Sequence, residues 1–346
     1  MNPLIYSLFV SLLACSTVLV MMSHHWMLAW LGLEINTMAM IPIIAQQHHP
    51  RATEAAMKYF LTQTVAALLV LYASTINATQ TGHWTLTNIT TPSAQILLTL
   101  ALTMKMGVAP MHAWFSEVLQ GTKTSTALIL ATTQKLPPLT LLILNANHMP
   151  PNILLFLGAL STLWGGLAAL NQTNLRKIMA FSSIAHMGWI MIALTLNTNL
   201  TTLAFLLYMT LTAPIFMTMM TTSTKTLADL ATTWIVTPML TSLLMLSLFS
   251  LGGLPPLTGF IPKMLITDAL IKAQLTPLAI FLMLASLPSL FFYIRLAYLT
   301  TLTNPPGTTN SKHKWRQPPT KFNLVAPMIA LATPLLPMLP LMYATP

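Results

Sequence analysis

The stretch TMKMGVAPMHAWFSEV, Thr103–Val118, decides how this chain is read. It places Lys105 inside a long apolar segment and follows it at once with Gly107 and Pro110, residue types that end helices. A lysine near the centre of a membrane-crossing segment costs about 2.5 to 3.5 kcal/mol on insertion scales, so such residues usually face a polar interior and work there. A break beside it frees backbone groups, which are tolerated at that depth only where protein or water meets them. Gly107 and Pro110 therefore read as opening the helix so that water and backbone dipoles reach the charge of Lys105.

The rest of the sequence supports that setting. Of 346 residues, 55% are apolar and 6% charged, where a soluble domain carries about 25% charged residues. Apolar runs of about 20 residues recur from end to end, each long enough to cross about 30 Å of hydrocarbon. This predicts an all-α polytopic membrane protein with no soluble domain. The net charge of +10 comes from 15 basic residues scattered among apolar helices; with no basic, aromatic-studded surface they exclude nucleic-acid binding. The single cysteine, Cys15, offers no disulfide framework and no iron-sulfur ligand set. The first segment lacks a basic leader and a clear cleavage site and reads as a retained helix. Asn-x-Thr triplets at Asn77, Asn88, Asn171 and Asn199 arise readily in a Thr-rich chain and are not read as glycosylation sites.

Apolar runs set against Pro, Gly, Asn and charge give eleven spans, near residues 3–22, 25–45, 54–77, 95–120, 124–145, 150–171, 174–196, 199–222, 238–272, 276–302 and 323–344. The fourth is interrupted at GVAP, Gly107–Pro110, and the ninth at GGLPPLTGF, which holds Gly252, Gly253, Pro255 and Pro256. The two lie five spans apart. That divides the chain into five-helix sets over residues 1–148 and 149–303, a basic loop over 304–322 and a last helix in 323–346. A repeat of five must re-enter from the opposite face, and paired breaks mark the site of an inverted-repeat transporter. The plainer account of the pairing is that Gly and Pro are common in membrane helices. Connections on the N-terminal side hold nine basic residues (Arg51, Lys123, Arg176, Lys177, Lys225, Lys312, Lys314, Arg316 and Lys321) and the other side holds one, Lys272. The asymmetry places the N-terminus on the cytoplasm-equivalent face and the C-terminus opposite. Lys58 and Arg295 fall near span ends, where they can snorkel.

Three lysines remain deep: Lys105, Lys135 and Lys263. Lysine suits proton relay because desolvation brings its titration towards neutrality, which arginine does not allow. Lys135 carries Thr132 one turn away. Glu34 is the carboxylate placed deepest, and Lys105 is its expected partner, since an unpaired buried carboxylate is costly; capping or contact with another subunit is the alternative. His112 and His186 lie inside spans and either join a polar path or bond a neighbouring helix. The pairs His24, His25 and His48, His49 sit at span ends, too few facing pairs for bis-histidine haem.

Three blocks, MKMGVAPMHAWFSEVLQGTKTSTALILATTQK, KIMAFSSIAHMGW and SLGGLPPLTGFIPK, resemble the antiporter-like subunits of respiratory NADH:ubiquinone oxidoreductase, in the same order and along the whole chain. The resemblance implies two inverted five-helix bundles, each with one discontinuous helix, and a hydrated line of charge. It casts Glu34 and Lys105 as a coupled pair, Lys135 as the central lysine and Lys263 as the distal one. Longer family members begin with three further helices. The resemblance also implies proton translocation as part of an NADH:ubiquinone reductase, with sister antiporter-like and small membrane subunits and phospholipids as partners. NADH, flavin, iron-sulfur clusters and ubiquinone are then expected in other subunits, and no cofactor or metal in this chain. The implied location is the mitochondrial inner membrane, N-terminus in the matrix and C-terminus in the intermembrane space. Two other readings stay open: a stand-alone cation/proton antiporter, and a structural spacer that moves no protons.

Overall fold

The computed structural model describes residues 3–301 and 325–332. The basic loop over 304–322 and most of the span expected over 323–344 lie outside them. The described chain is helical throughout: α1 (Pro3–Met22), α2 (Trp26–Ile44), α3 (Pro50–Thr81), α4 (Pro92–Met106), α5 (Ala113–Gly121), α6 (Thr124–Ala131), α7 (Leu136–Leu144), α8 (Pro151–Ala169), α9 (Leu175–Leu196), α10 (Thr198–Thr222), α11 (Leu227–Val236), α12 (Pro238–Gly252), α13 (Phe260–Lys272), α14 (Thr276–Thr301) and α15 (Val325–Ala332). Among the described residues, eight segments are long and apolar enough to cross a membrane, counting α6 and α7 as one. At 15, 15 and 13 residues, α4, α12 and α13 fall short singly because breaks divide them.

Helices suit this sequence because hydrocarbon offers no partner for backbone polar groups. The many hydroxyls are satisfied the same way. Ser16 bonds the carbonyl of Leu13 at 2.9 Å, Thr99 that of Ile96 at 2.8 Å and Thr218 that of Ile215 at 2.9 Å. Histidines at span ends cap: His25 Nδ1 accepts from the Met27 amide and His49 Nδ1 from the Arg51 amide, each at 3.2 Å.

The chain forms two compact units, Met1–Ser161 with Ile190–Thr198, and Thr162–Trp189 with Asn199–Pro346. In the first, α2 packs on α1 and α3, α3 on α4 and α5, and α7 on α1 and α4. Small residues let these backbones approach. A Cβ at Gly121 would stand 2.8 Å from the Arg51 carbonyl oxygen, so α5 lies directly against α3. In the second unit α14 packs on α11, α12 and α13, and α12 also meets α11 and α15. There Gly165 leaves room for α9, where a Cβ would come within 2.7 Å of the Phe181 carbonyl oxygen.

Three expectations change. The span over 124–145 is not continuous: α6 ends at Ala131, Thr133–Lys135 form a 3₁₀ turn, and α7 begins at Leu136. Pro137 and Pro138 lack the amides that would carry the ladder across. The connection before residue 238 holds α11, set by a capping box of Thr226 and Asp229. The third helix runs from Pro50 to Thr81, beyond the span read as 54–77. Lys58, expected near a span end, also holds an ion pair: its Nζ lies 2.5 Å from both Glu54 Oε1 and Glu117 Oε2, tying α3 to α5.

Candidate functional site

The first break is built around Gly107. Lys105 lies in the last turn of α4, and Gly107 ends the helix in the left-handed region at φ 74°. Its amide bonds the Met104 carbonyl at 3.1 Å, and the Val108 amide bonds that of Thr103 at 3.0 Å. Trp114 Nε1 also donates to Met104 O, at 3.1 Å. The helix end is thus satisfied by backbone and indole, and Lys105 adds a cation where the helix dipole is negative.

The second arm comes from the 3₁₀ turn. Lys135 is 2% exposed, its amide bonded to Thr132 O at 3.2 Å, and its Nζ stands 4.7 Å from the centre of the Phe115 ring. Phe115 follows the first break by a few residues, so a cation–π contact links the two breaks. Tyr59 of α3 packs edge-on against Trp114 and donates its hydroxyl to Gln134 Oε1 at 3.4 Å.

These groups enclose a cavity of about 20 Å³, on the scale of one water. Lys105, Lys135, Asn36, Thr37, Tyr59 and Gln63 are among its lining residues. Several buried atoms here have no hydrogen-bond partner: Lys105 Nζ, Glu34 Oε2 and both side-chain polar atoms of Asn36. Groups of both donor and acceptor type left open in one place call for water. Glu34 is close enough to attract Lys105 electrostatically, yet among the described residues no ion pair joins them within 4.0 Å. The expected pair is therefore within electrostatic reach but makes no ion-pair contact among the described residues.

The remaining expected residues lie elsewhere. His112 precedes α5, half-buried, with Nδ1 3.1 Å from the Pro110 carbonyl oxygen, and it does not line the cavity. In the second unit the break over Gly253–Gly259 repeats the first in detail. Gly253 caps α12 at φ 80°, its amide bonding Ser250 O at 3.0 Å while Leu254 bonds Phe249 O at 3.4 Å. Lys263 comes from the far side of the break, in the first turn of α13, and donates to Gly252 O at 2.7 Å. Each break thus sets a lysine at the C-terminal end of its leading half-helix. His186 packs against Tyr208, ring centres 5.6 Å apart. Pro255 and Pro256 fall in the turn after Gly253.

Tyr59, Phe115 and Gln134 were not read from the sequence. Only Gln134 carried a signal, as a polar neighbour of Lys135.

An all-helical membrane protein with buried lysines at paired helix breaks has the construction of an ion-translocating carrier. The chain belongs to the family described as NADH:quinone oxidoreductase/Mrp antiporter, TM, which matches residues 23–289, and residues 290–343 match the family described as NADH dehydrogenase subunit 2 C-terminus. The NADH-ubiquinone oxidoreductase chain 2 of Carassius auratus is 50% identical over 341 residues, covering 98% of each chain. That of Gallus gallus is 47% identical over 341 residues and 99% of each. A chain of respiratory complex I from Thermus thermophilus with bound aureothin superposes with a TM-score of 0.83 at 27% identity, over 99% of this chain and 78% of that one. A chain of the Mrp complex from Dietzia sp. DQ12-45-1b shares the fold, with a TM-score of 0.78 at 16% identity over 86% of this chain and 60% of that one.

Proposed function

We propose that this chain is a proton-translocating core subunit in the membrane arm of a mitochondrial NADH:ubiquinone oxidoreductase. The observation that carries this is the meeting of Lys105 and Lys135, brought from two separate helix breaks to one water-sized polar cavity. Two ammonium groups in one low-dielectric space repel, so a proton arriving on one favours release from the other. Glu34, within electrostatic reach of Lys105, biases where that charge rests. Lys263 receives or passes the proton in the second unit, and His112 and His186 serve as relays. Electron transfer runs in other subunits, which hold NADH, flavin, iron-sulfur clusters and ubiquinone; antiporter-like and small membrane subunits and phospholipids flank the chain.

The chain crosses the inner membrane eleven times as inverted five-helix repeats over 1–148 and 149–303, followed by a basic matrix loop over 304–322 and a last helix in 323–346. In support, α4 and α12 both begin near a proline, run 15 residues and end at a left-handed glycine. The nine-to-one split of basic residues supports an N-terminus in the matrix and a C-terminus in the intermembrane space.

The test is Lys135→Met in the assembled enzyme, which keeps length and removes the titrating group. Normal assembly with sharply reduced proton pumping is expected. Wild-type pumping would leave the chain a structural spacer. Ion flux in vesicles holding this chain without redox partners would instead favour a stand-alone cation/proton antiporter.

A further inference from the structure

The second unit gathers cations at one end without the carboxylates to balance them. The connections before α9 and α11 are stitched together, Leu175 N to Lys225 O at 3.1 Å and Leu227 N to Thr173 O at 3.1 Å. The stitch brings Arg176, Lys177 and Lys225 to the end of the unit where α8 finishes. Arg295 of α14 joins them, donating from Nη1 to Leu170 O, just past α8, at 2.5 Å. That bond uses one of five guanidinium N–H donors, and among the described residues Arg295 makes no ion pair.

The carboxylates are few enough to place individually. The second unit has Asp229 and Asp268 alone. Asp268 pairs with Lys272 at 2.8 Å, before α14 begins. Asp229 accepts the amides of Lys225 and Thr226 at 3.0 and 2.9 Å, so four cations share one carboxylate. The sequence over 302–324 adds Lys312, Lys314, Arg316 and Lys321 and no acid. Cations set beside hydrocarbon with so little internal compensation call for an anion from outside the chain.

Depth and surroundings say which anion. Arg295 stands about 28 Å along α14 from Thr276 at 1.5 Å per residue, close to one hydrocarbon thickness of about 30 Å and so at headgroup level. Leu284, Leu287, Phe291, Ile294 and Tyr298 are all exposed and, spaced by three and four, share one face of α14. The stripe ends beside Arg295 in a tyrosine, a residue type enriched at that level. Beside it α8 meets α14 at Gly166, where a Cβ would stand 3.3 Å from Ala285 O, and presents exposed Trp164 and Leu167. An acidic protein segment would match the cations alone; a phospholipid matches the cations and the apolar stripe leading from them.

We propose that Arg295, with Lys177 and Lys225, holds the phosphate of an anionic phospholipid whose acyl chains lie along the outer face of α14. Guanidinium and phosphate suit each other in charge and in paired hydrogen bonds. The inference needs the chain to lie in a membrane but not to move protons, so pumping is no part of its test.

The test uses assembled enzyme in phosphatidylcholine vesicles doped with a photoreactive phosphatidylglycerol or, in a parallel sample, a photoreactive phosphatidylcholine, with the labelled peptides mapped. Residues 284–298 should take severalfold more label from the anionic lipid. Lys177→Gln with Lys225→Gln, which leaves the bond from Arg295 to Leu170 in place, should remove that excess. Equal labelling by the two lipids refutes the proposal, as does an excess that survives the double substitution. If the double variant does not assemble, the comparison of the two lipids on wild-type enzyme decides alone. Absence of label on α14, with a neighbouring subunit's carboxylate against Arg295 in a high-resolution map, gives the cations to a protein partner and also refutes it.

Discussion

Substituting alanine at Gly253 tests the seat of Lys263, because the structure separates two costs. The first is conformational. Gly253 has φ 80°, and an alanine held in the left-handed region is strained by about 1 to 2 kcal/mol. The second is contact, since the new Cβ would lie 2.9 Å from Lys263 Nζ and 3.1 Å from its Cδ and Cε. A lysine tip moves readily, so the clash itself is cheap. What it forfeits is the bond to Gly252 O, a charge-assisted bond of a class worth about 1.5 to 3 kcal/mol. Gly82 supplies the control: it has φ 74° and nothing within 4 Å of where an alanine Cβ would stand, so Gly82→Ala carries the strain alone. In vesicles containing assembled enzyme, both variants should lose some assembly yield or thermal half-life, while Gly253→Ala alone loses a further severalfold in proton pumping per complex. Equal pumping by the two variants at equal assembly would refute the claim that the Gly252 carbonyl positions Lys263 for its work.

Glu34→Gln and Lys105→Met should each slow coupled quinone reduction, and the double variant should be scarcely worse than the poorer single, because groups acting as a unit are non-additive; losses that multiply would separate them. Protease added to mitochondria stripped of the outer membrane should spare the loop over 304–322, and efficient cutting would reverse the orientation. Thr226→Ala should loosen the start of α11 by about 0.5 to 2 kcal/mol, read as faster amide exchange at Leu230, and unchanged exchange would remove the cap from the account. Asp229 in the same box feels burial, which raises its carboxyl, but hydrogen bonds from Thr226 and Lys225 outweigh it and hold the group below its usual value. Its folded pKa is thus depressed, so its contribution should be complete above about pH 4 and fade as pH falls through the folded value, which amide exchange against pH would follow.

How far the sequence could be read depended on whether a signal was local. Gly107 and Gly253 were legible because glycine beside proline ends helices by its own chemistry, and both cap in the left-handed region as that chemistry requires. Lys105, Lys135 and Lys263 were legible because charge is rare in an apolar run, and all three are buried. The turn before Lys135 had its signal in Pro137–Pro138, but the unbroken hydropathy around it hid the division. In α11 the spacing of Thr226 and Asp229 marked a helix start that punctuation by Lys and Thr obscured. Nothing local could place Phe115 under Lys135 or Tyr59 against Gln134, since each contact joins separate helices. That Glu34 and Lys105 make no ion-pair contact is of the same kind, since the two belong to separate helices, α2 and α4.

The hydroxyls folded back onto their own helices bear on how this chain can vary. Ser7, Ser11, Thr75 and Thr79 sit on exposed faces, yet each donates to a carbonyl three residues earlier, at 2.8, 2.8, 2.8 and 2.9 Å respectively. Viewed from the lipid, a threonine in that state has much the outline of valine and keeps its polarity to itself. Hydropathy scales score it as polar all the same, so the apolar run read from the sequence stops short while α3 itself continues through Thr79 and Thr81. Over generations, exchange among threonine, valine and alanine on these faces should be almost silent, so that two chains can drift far apart in letters while offering acyl chains the same coat.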